Sequence, residues 1–280
     1  MWPTLILLTA VIVVPFGIGV VISFLDLDQF SLREWLGAPF VAFDNYTEAL
    51  RKAGLLHSIW ISTAFALLTT ALCLPIGLLA ACSVNPRFRG RFLLRSVFLI
   101  PYVIPSFVTA TLWRFMLQPD GVFNDGLGLF GIDGGQWLIG GKSFWALVIV
   151  DVWAAWPFIY MMALAGLQSI PSEMYDAADV DGVSWRQKLR YIVIPQIKGQ
   201  LALGVLLSTL HHFNNFTLPF VLLGTPAPDP ALTLPVNVYQ TSFQVFRFGL
   251  GAAMSVISLI IMIVPAALYL RASKLSSGEE

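Results

Sequence analysis

Few side chains in this 280-residue chain could do chemistry, because 57% of it is hydrophobic and only 11% is charged. Asp151 stands out. It lies about 10 Å into an apolar run counted from Phe144, at 1.5 Å per helical residue. A charge near the middle of a bilayer costs on the order of 2.5–3.5 kcal/mol on insertion scales. Asp151 is therefore expected to face a wet cavity or a partner group. Ala155 and Phe158 follow it at i+4 and i+7, and Ser208, His212 and Asn215 repeat that spacing in a later apolar run. Such residues share one helical face. One stripe is polar; the other combines a carboxylate, a small residue and an aromatic ring. Together they suit a sugar, whose hydroxyls want donors and acceptors and whose ring face wants an aromatic surface. The polar stripe would also serve as hydrogen-bond glue between helices.

Other chemistries fail on spacing. GGQWLIGGKS resembles a phosphate loop, but the glycine needed five positions before Gly141 is Gln136. His211 and His212 are adjacent, about 100° apart on a helix, with no cysteine or acid at metal spacing. No nucleophile elbow or Ser/His/Asp pattern occurs. No catalytic residue, metal site or cofactor is expected in this chain, so it is not read as an enzyme. Cys73 and Cys82 sit nine apart and point to opposite helix faces, so both are read as small apolar residues. Arg114, one turn from the end of its run, either snorkels to the interface or meets a solute. The formal net charge is zero, which gives no general attraction to nucleic acid.

The elements that must hold these residues are membrane spans. Ordinary soluble domains are roughly 25% charged, and this chain could not hide its apolar surface in water. Six runs are long enough to cross about 30 Å of hydrocarbon: Trp2–Leu25, His57–Val84, Ser96–Gln118, Phe144–Gln168, Gln200–Leu223 and Phe248–Leu270. The first lacks the basic start and cleavage site of a secretory signal, and the abrupt start at Met1 suggests that a short basic leader is missing. Arg87, Arg89, Arg91, Arg95, Arg186, Lys188, Arg190, Lys198, Arg271 and Lys274 fall on one side of such a bundle. Only Arg33, Arg51, Lys52, Lys142 and Arg247 fall on the other. The richer side is cytoplasmic by the positive-inside rule, which puts both termini inside. The expected fold is an all-α membrane protein, one domain over residues 1–280.

One cytoplasmic segment, residues 169–199, is too well punctuated for a plain solvated loop. In SIPSEMYDAADVDG, Pro171 and Glu173 suit a helix start, and Ala177 and Ala178 are strong helix formers. Gly182 is placed to end that helix in the left-handed conformation. Ser184 and Gln187 then form a capping-box pattern. Leu189, Ile192 and Val193 give an apolar stripe, and Pro195 ends or kinks the second helix. Matched caps and a small-residue surface at Ala177, Ala178 and Gly182 point to a docking helix.

The order Asp176-Ala177-Ala178, Asp181-Gly182, then Ile192, Ile194 and Pro195 resembles the coupling motif (E-A-A, D-G, I-x-L-P) of ATP-binding-cassette importer permeases. Asp176 stands where that motif has Glu, and Ile194 where it has Leu. VAFDNYTEAL, LIPYVIPSFVTATLWRFMLQPDGVFN and FNNFTLPFVLL are similar to the carbohydrate branch, within it to the larger permease of maltose-type transporters. The resemblance implies a prokaryotic inner-membrane permease for a sugar or related carbohydrate. It implies partners: a second permease in a heterodimer, two cytoplasmic ATPase subunits that bind ATP and Mg, and an extracytoplasmic sugar-binding protein. It implies that the motif helix plugs into the ATPase, and that Asp151, Ala155, Phe158, Ser208 and His212 occupy sugar-site positions, with Asn215 in a similar N-N-F element.

Two other readings stand beside it. One is a permease of the same superfamily for an amino acid, phosphate or polyol, although an anion would be repelled by Asp151. The other is a lone proton-coupled transporter with Asp151 and His212 as relay, which leaves the Asp176–Gly182 motif unexplained.

Overall fold

The computed structural model describes residue 7 and residues 9–277. Residues 1–6, where span one begins at Trp2, residue 8 and residues 278–280 lie outside the described residues. Among the described residues there is no strand, only two isolated bridging pairs, Leu25–Phe40 and Asp28–Arg247.

Two long helices, α3 (Leu55–Val84) and α7 (Lys142–Gln168), form the centre and pack along each other. They touch backbone to backbone at Gly77, where a Cβ would stand 2.7 Å from the Tyr160 amide nitrogen. Without a strong hydrophobic drive between helices in lipid, such small-residue contacts bring dispersion and backbone surfaces together. Helix α10 (Lys198–Phe213) packs on both. The outer elements are α1 (Thr9–Ile22), the pair α4 (Arg91–Val103) and α5 (Ser106–Met116), and, after short helix α12 (Leu234–Tyr239), α13 (Phe248–Ser277). Their outward faces are apolar and exposed, as at Phe92, Phe107 and Leu268, which suits lipid or another membrane subunit.

Two expected spans are broken rather than straight. Span three is α4 and α5, bent by 85°. Ile104 is extended, at ψ 126°, because the residue before a proline is disfavoured in the helical region, and Pro105 follows. Span five is α10 followed by α11 (Thr217–Leu223). Pro219 cannot donate to the carbonyl four residues back, at Asn215, and the helix opens at residues 214–216. Asn215 compensates: its side-chain oxygen accepts the Leu218 amide at 3.3 Å. Span six runs past Leu270 to Ser277.

At the end of the bundle away from the charged segment, short helix α2 (Asp44–Arg51) clasps the ends of α1 and α13. The Asn45 amide donates to the Ser23 and Leu25 carbonyls at 3.0 and 2.9 Å. Arg247 binds Glu48 through both nitrogens, with Nη2 to Oε2 at 2.8 Å. That hydrogen bond holds the Glu48 carboxyl below the usual carboxylate range. Another short helix, α6 (Val122–Gly128), follows α5 at the same end.

Candidate functional site

The two stripes meet. Asp151, Ala155 and Phe158 from α7 and Ser208, His212 and Asn215 from the α10–α11 strip all line one cavity of about 540 Å³. Asp151, Ser208 and His212 are buried, at 2%, 3% and 1% exposure. Asp151 Oδ2 and His212 Nδ1 are 2.6 Å apart, ion-pair distance without the alignment of a hydrogen bond. The Asn215 amide donates to Asp151 Oδ1 at 3.4 Å, and Ser208 Oγ lies 3.0 Å from His212 Nε2. Phe65 of α3 packs edge-on against the His212 ring. Asp151 thus has partners within the protein, as the cost of a lone charge in lipid demands. The polar stripe glues α7 to α10 and lines a cavity at once, so the two sequence readings are not exclusive.

The third wall is the bend of span three, residues 101–106, with Thr109 of α5. Tyr102 stacks on Phe158 with ring centroids 6.3 Å apart and planes 27° from parallel. Sequence reasoning missed this wall and also His211, which lines the cavity beside His212. The signal for the wall was present in P-Y-V-I-P, residues 101–105, since two prolines in one span mark an irregular backbone. Lys and Arg are absent from the cavity lining. Arg114 is elsewhere: its Nη1 donates to the Val221 carbonyl at 3.0 Å. That carbonyl is in the last turn of α11, the end of a helix that favours a cation.

The charged segment folds as two helices, α8 (Ser172–Val180) and α9 (Trp185–Gln196). Gly182 has φ 67°. The Val183 amide bonds the Ala178 carbonyl at 3.0 Å and the Gly182 amide bonds that of Asp179 at 3.2 Å, the double bond pattern of a Schellman cap. At the next start the Gln187 side chain accepts the Ser184 amide at 2.9 Å, one half of the capping box. Lys188 pairs with Asp179 across the turn, a contact the sequence reading did not anticipate. Asp176, Ala177, Asp181, Gly182, Ile194 and Pro195 are exposed. Ala178 is not: it is 5% exposed and faces its own chain, so the outward small-residue surface reduces to Ala177 and Gly182. Tyr175 also turns inward, and burial pushes its phenol up.

The loop is anchored at both ends to the helices that carry the cavity. Three residues separate α8 from α7. Helix α9 meets α10 at 76° through Ile197, which is fully buried. Its side chain lies where a Cβ on Gly166 of α7 would be, at 2.9 Å. Val193 and Ile197 share an apolar cluster with Leu78, Tyr160 and Leu167. A displacement of the exposed face of α8 and α9 therefore reaches α7 and α10 through packed backbone.

An all-α membrane bundle with an exposed helix–turn–helix fastened to its cavity-bearing helices defines a transport component of the membrane. The chain belongs to the family of binding-protein-dependent transport system inner membrane components, whose model matches residues 73–274. It is 31% identical over 238 residues to the trehalose/maltose transport system permease protein of Thermococcus litoralis, covering 84% of this chain and 80% of that one. It is 30% identical over 271 residues to the sulfoquinovosyl glycerol transport system permease protein of Agrobacterium fabrum, covering 96% and 87%. Its fold matches a chain of a bacterial ATP-binding-cassette transporter involved in alginate import, with a TM-score of 0.80 over 96% of this chain and 93% of that one at 22% identity.

Proposed function

We propose that this chain is the permease subunit of an ATP-binding-cassette importer that carries a sugar or related carbohydrate inward. One observation carries the reading: the helices that bear the motif loop are packed onto the two helices that bear the cavity. A partner that grips Asp176, Ala177, Asp181, Gly182, Ile194 and Pro195 can move the walls around Asp151, Ala155, Phe158, Ser208, His212 and Asn215. The relatives named for trehalose, maltose and sulfoquinovosyl glycerol support a carbohydrate, and so does a lining of hydroxyl, amide, imidazole and aromatic groups. Such pockets place a few polar groups among apolar walls.

The chain performs no hydrolysis itself. Two separate cytoplasmic ATPase subunits bind ATP and Mg, a second permease completes the pathway as a heterodimer, and an extracytoplasmic binding protein delivers the sugar. The motif loop faces the cytoplasm, with both termini on that side, in the inner membrane of a prokaryotic cell. The test is co-expression with candidate ATPase subunits, followed by sugar uptake into vesicles. Uptake is expected to need ATP, to survive an uncoupler and to vanish without the ATPase. Uptake by the chain alone in a proton gradient would overturn the reading.

A further inference from the structure

The cavity and the motif loop leave unused the segment that joins α1 to α2 at the other end of the bundle. Its stretch QFSLREWLGAPFVAF, from Gln29 to Phe43, carries one base and one acid, Arg33 and Glu34, among large apolar side chains. Phe30, Leu36 and Phe40 are 84%, 83% and 72% exposed, and Leu32 and Phe43 are exposed with them. Single exposed leucines are ordinary, but so many large apolar side chains in one short stretch mark an interaction surface. Backbone contacts fix its depth. The Val41 amide donates to the Phe24 carbonyl at 2.8 Å, and the Asp26 amide to the Pro39 carbonyl at 2.9 Å. The returning limb is thus pinned just past Ile22, where α1 ends. The Gly249 amide donates to the Leu27 carbonyl at 3.0 Å, which ties the outgoing limb to the first turn of α13. Between the limbs lies only a short 3-10 helix, Leu32–Gly37, far too short to cross a bilayer. The Phe24 ring centroid is 6.3, 5.6 and 5.4 Å from those of Phe40, Phe43 and Tyr46. Amphipathic aromatic rings collect at the level of the lipid headgroups.

We propose that this segment is an interfacial anchor: it lies in the headgroup layer of the leaflet opposite the motif loop, with Phe30, Leu32, Leu36, Phe40 and Phe43 in contact with lipid. The patch continues the exposed apolar face of α1, at Phe16 and Val21, and sits at the depth where two spans end, so its neighbour is lipid rather than water. It holds the clasp of α2 on α1 and α13 against the bilayer. Arg33 and Glu34 cancel in charge, so the apolar area alone drives the contact and anionic lipid adds little to it. The inference goes beyond the transport reading and is independent of the solute carried.

The test uses the full chain, assembled with its second permease and ATPases in phosphatidylcholine vesicles, with Cys73 and Cys82 replaced by alanine. A nitroxide is attached to a single cysteine, Phe30→Cys or Leu36→Cys. Both positions are exposed, so neither change empties a packed core, and the two give independent readings. Asp229→Cys is the aqueous reference at the same end of the bundle, since the Asp229 side chain is 83% exposed. Collision of the nitroxide with oxygen, which concentrates in lipid, is compared with collision with a water-soluble nickel chelate. The oxygen-to-nickel ratio is expected to be several-fold higher at positions 30 and 36 than at 229. It is expected to stay unchanged when phosphatidylglycerol is mixed into the vesicles or when the binding protein is added. Ratios equal to that at position 229 would put the segment in water. Protection from both reagents would make it a contact with the second permease, and protection that appears only with the binding protein would make it a contact with that protein. A ratio that rises only with phosphatidylglycerol would make the contact electrostatic. Each of these four results would overturn the proposal.

Discussion

The motif loop and the cavity differ in how their geometry is fixed. The loop is held by contacts between residues a few positions apart: a Schellman turn over residues 178–183, a capping box over residues 184–187 and the Asp179–Lys188 pair. The cavity is held by contacts that cross more than sixty positions, such as Asn215 to Asp151 and His212 to Asp151. A local device fails or survives with one residue. A distributed one is set by how whole helices pack, and its polar groups satisfy one another. The loop should therefore be brittle to backbone changes and tolerant of charge changes, and the cavity the reverse.

The largest expected effect is at Gly182. A β-branched residue at φ 67° costs about 1–2 kcal/mol, and nothing within 4 Å offers to compensate by contact. The strain would be relieved by turning α9 relative to α8, which moves the docking face. Gly182→Val is expected to insert in the membrane in normal amount but to abolish uptake and sugar-stimulated ATP hydrolysis. Normal uptake would show that the loop is not the brittle region.

The next is at Asp151. Asp151→Asn keeps the shape and removes the charge that His212 faces at 2.6 Å. A hydrogen bond to a charged group is worth about 1.5–3 kcal/mol, so affinity is expected to fall roughly tenfold to a hundredfold. Assembly with the ATPase should be unchanged. Leu206→Ala, on α10 but outside the cavity lining, is the control. If it harms uptake as much as Asp151→Asn does, the polar stripe is packing alone.

The same contrast explains how much was legible in the sequence. Gly182, the Ser184–Gln187 box and the proline at 195 announce themselves because caps act on their own backbone. Asp151, Ala155 and Phe158 on α7 and Ser208 and His212 on α10 were legible because a helix fixes which residues share a face; Asn215, expected on the same helical face, falls in the break at residues 214–216 and reaches the cavity from there. Nothing in those stripes says which third element closes the space, so Tyr102 and the bend of span three were missed. Ala178 was read as outward because its helix was known but its rotation against α7 was not. For Arg114 the sequence leaves snorkelling and a solute contact open, because its acceptor, the Val221 carbonyl, lies 107 positions away and comes within reach only through the packing of α5 on α11.

The smallest expected effect sharpens the comparison from the loop's side. Lys188 and Asp179 bridge α8 and α9, the one charge contact within the loop that could hold the two helices at their angle. Asp179 is 68% exposed and Lys188 17%. Water screens the carboxylate, and exposed pairs are worth about 0–1 kcal/mol. The Schellman turn and the capping box already fix the angle without it. Lys188→Ala is therefore expected to lower ATPase retention and coupled uptake by less than about fivefold, and raised salt should bring the native transporter toward the variant. Uptake and ATPase co-purification, each measured at low and high salt, check this. If Lys188→Ala matches Gly182→Val in severity, the loop's angle is set by charge rather than by its caps, and the division drawn between the two regions is wrong.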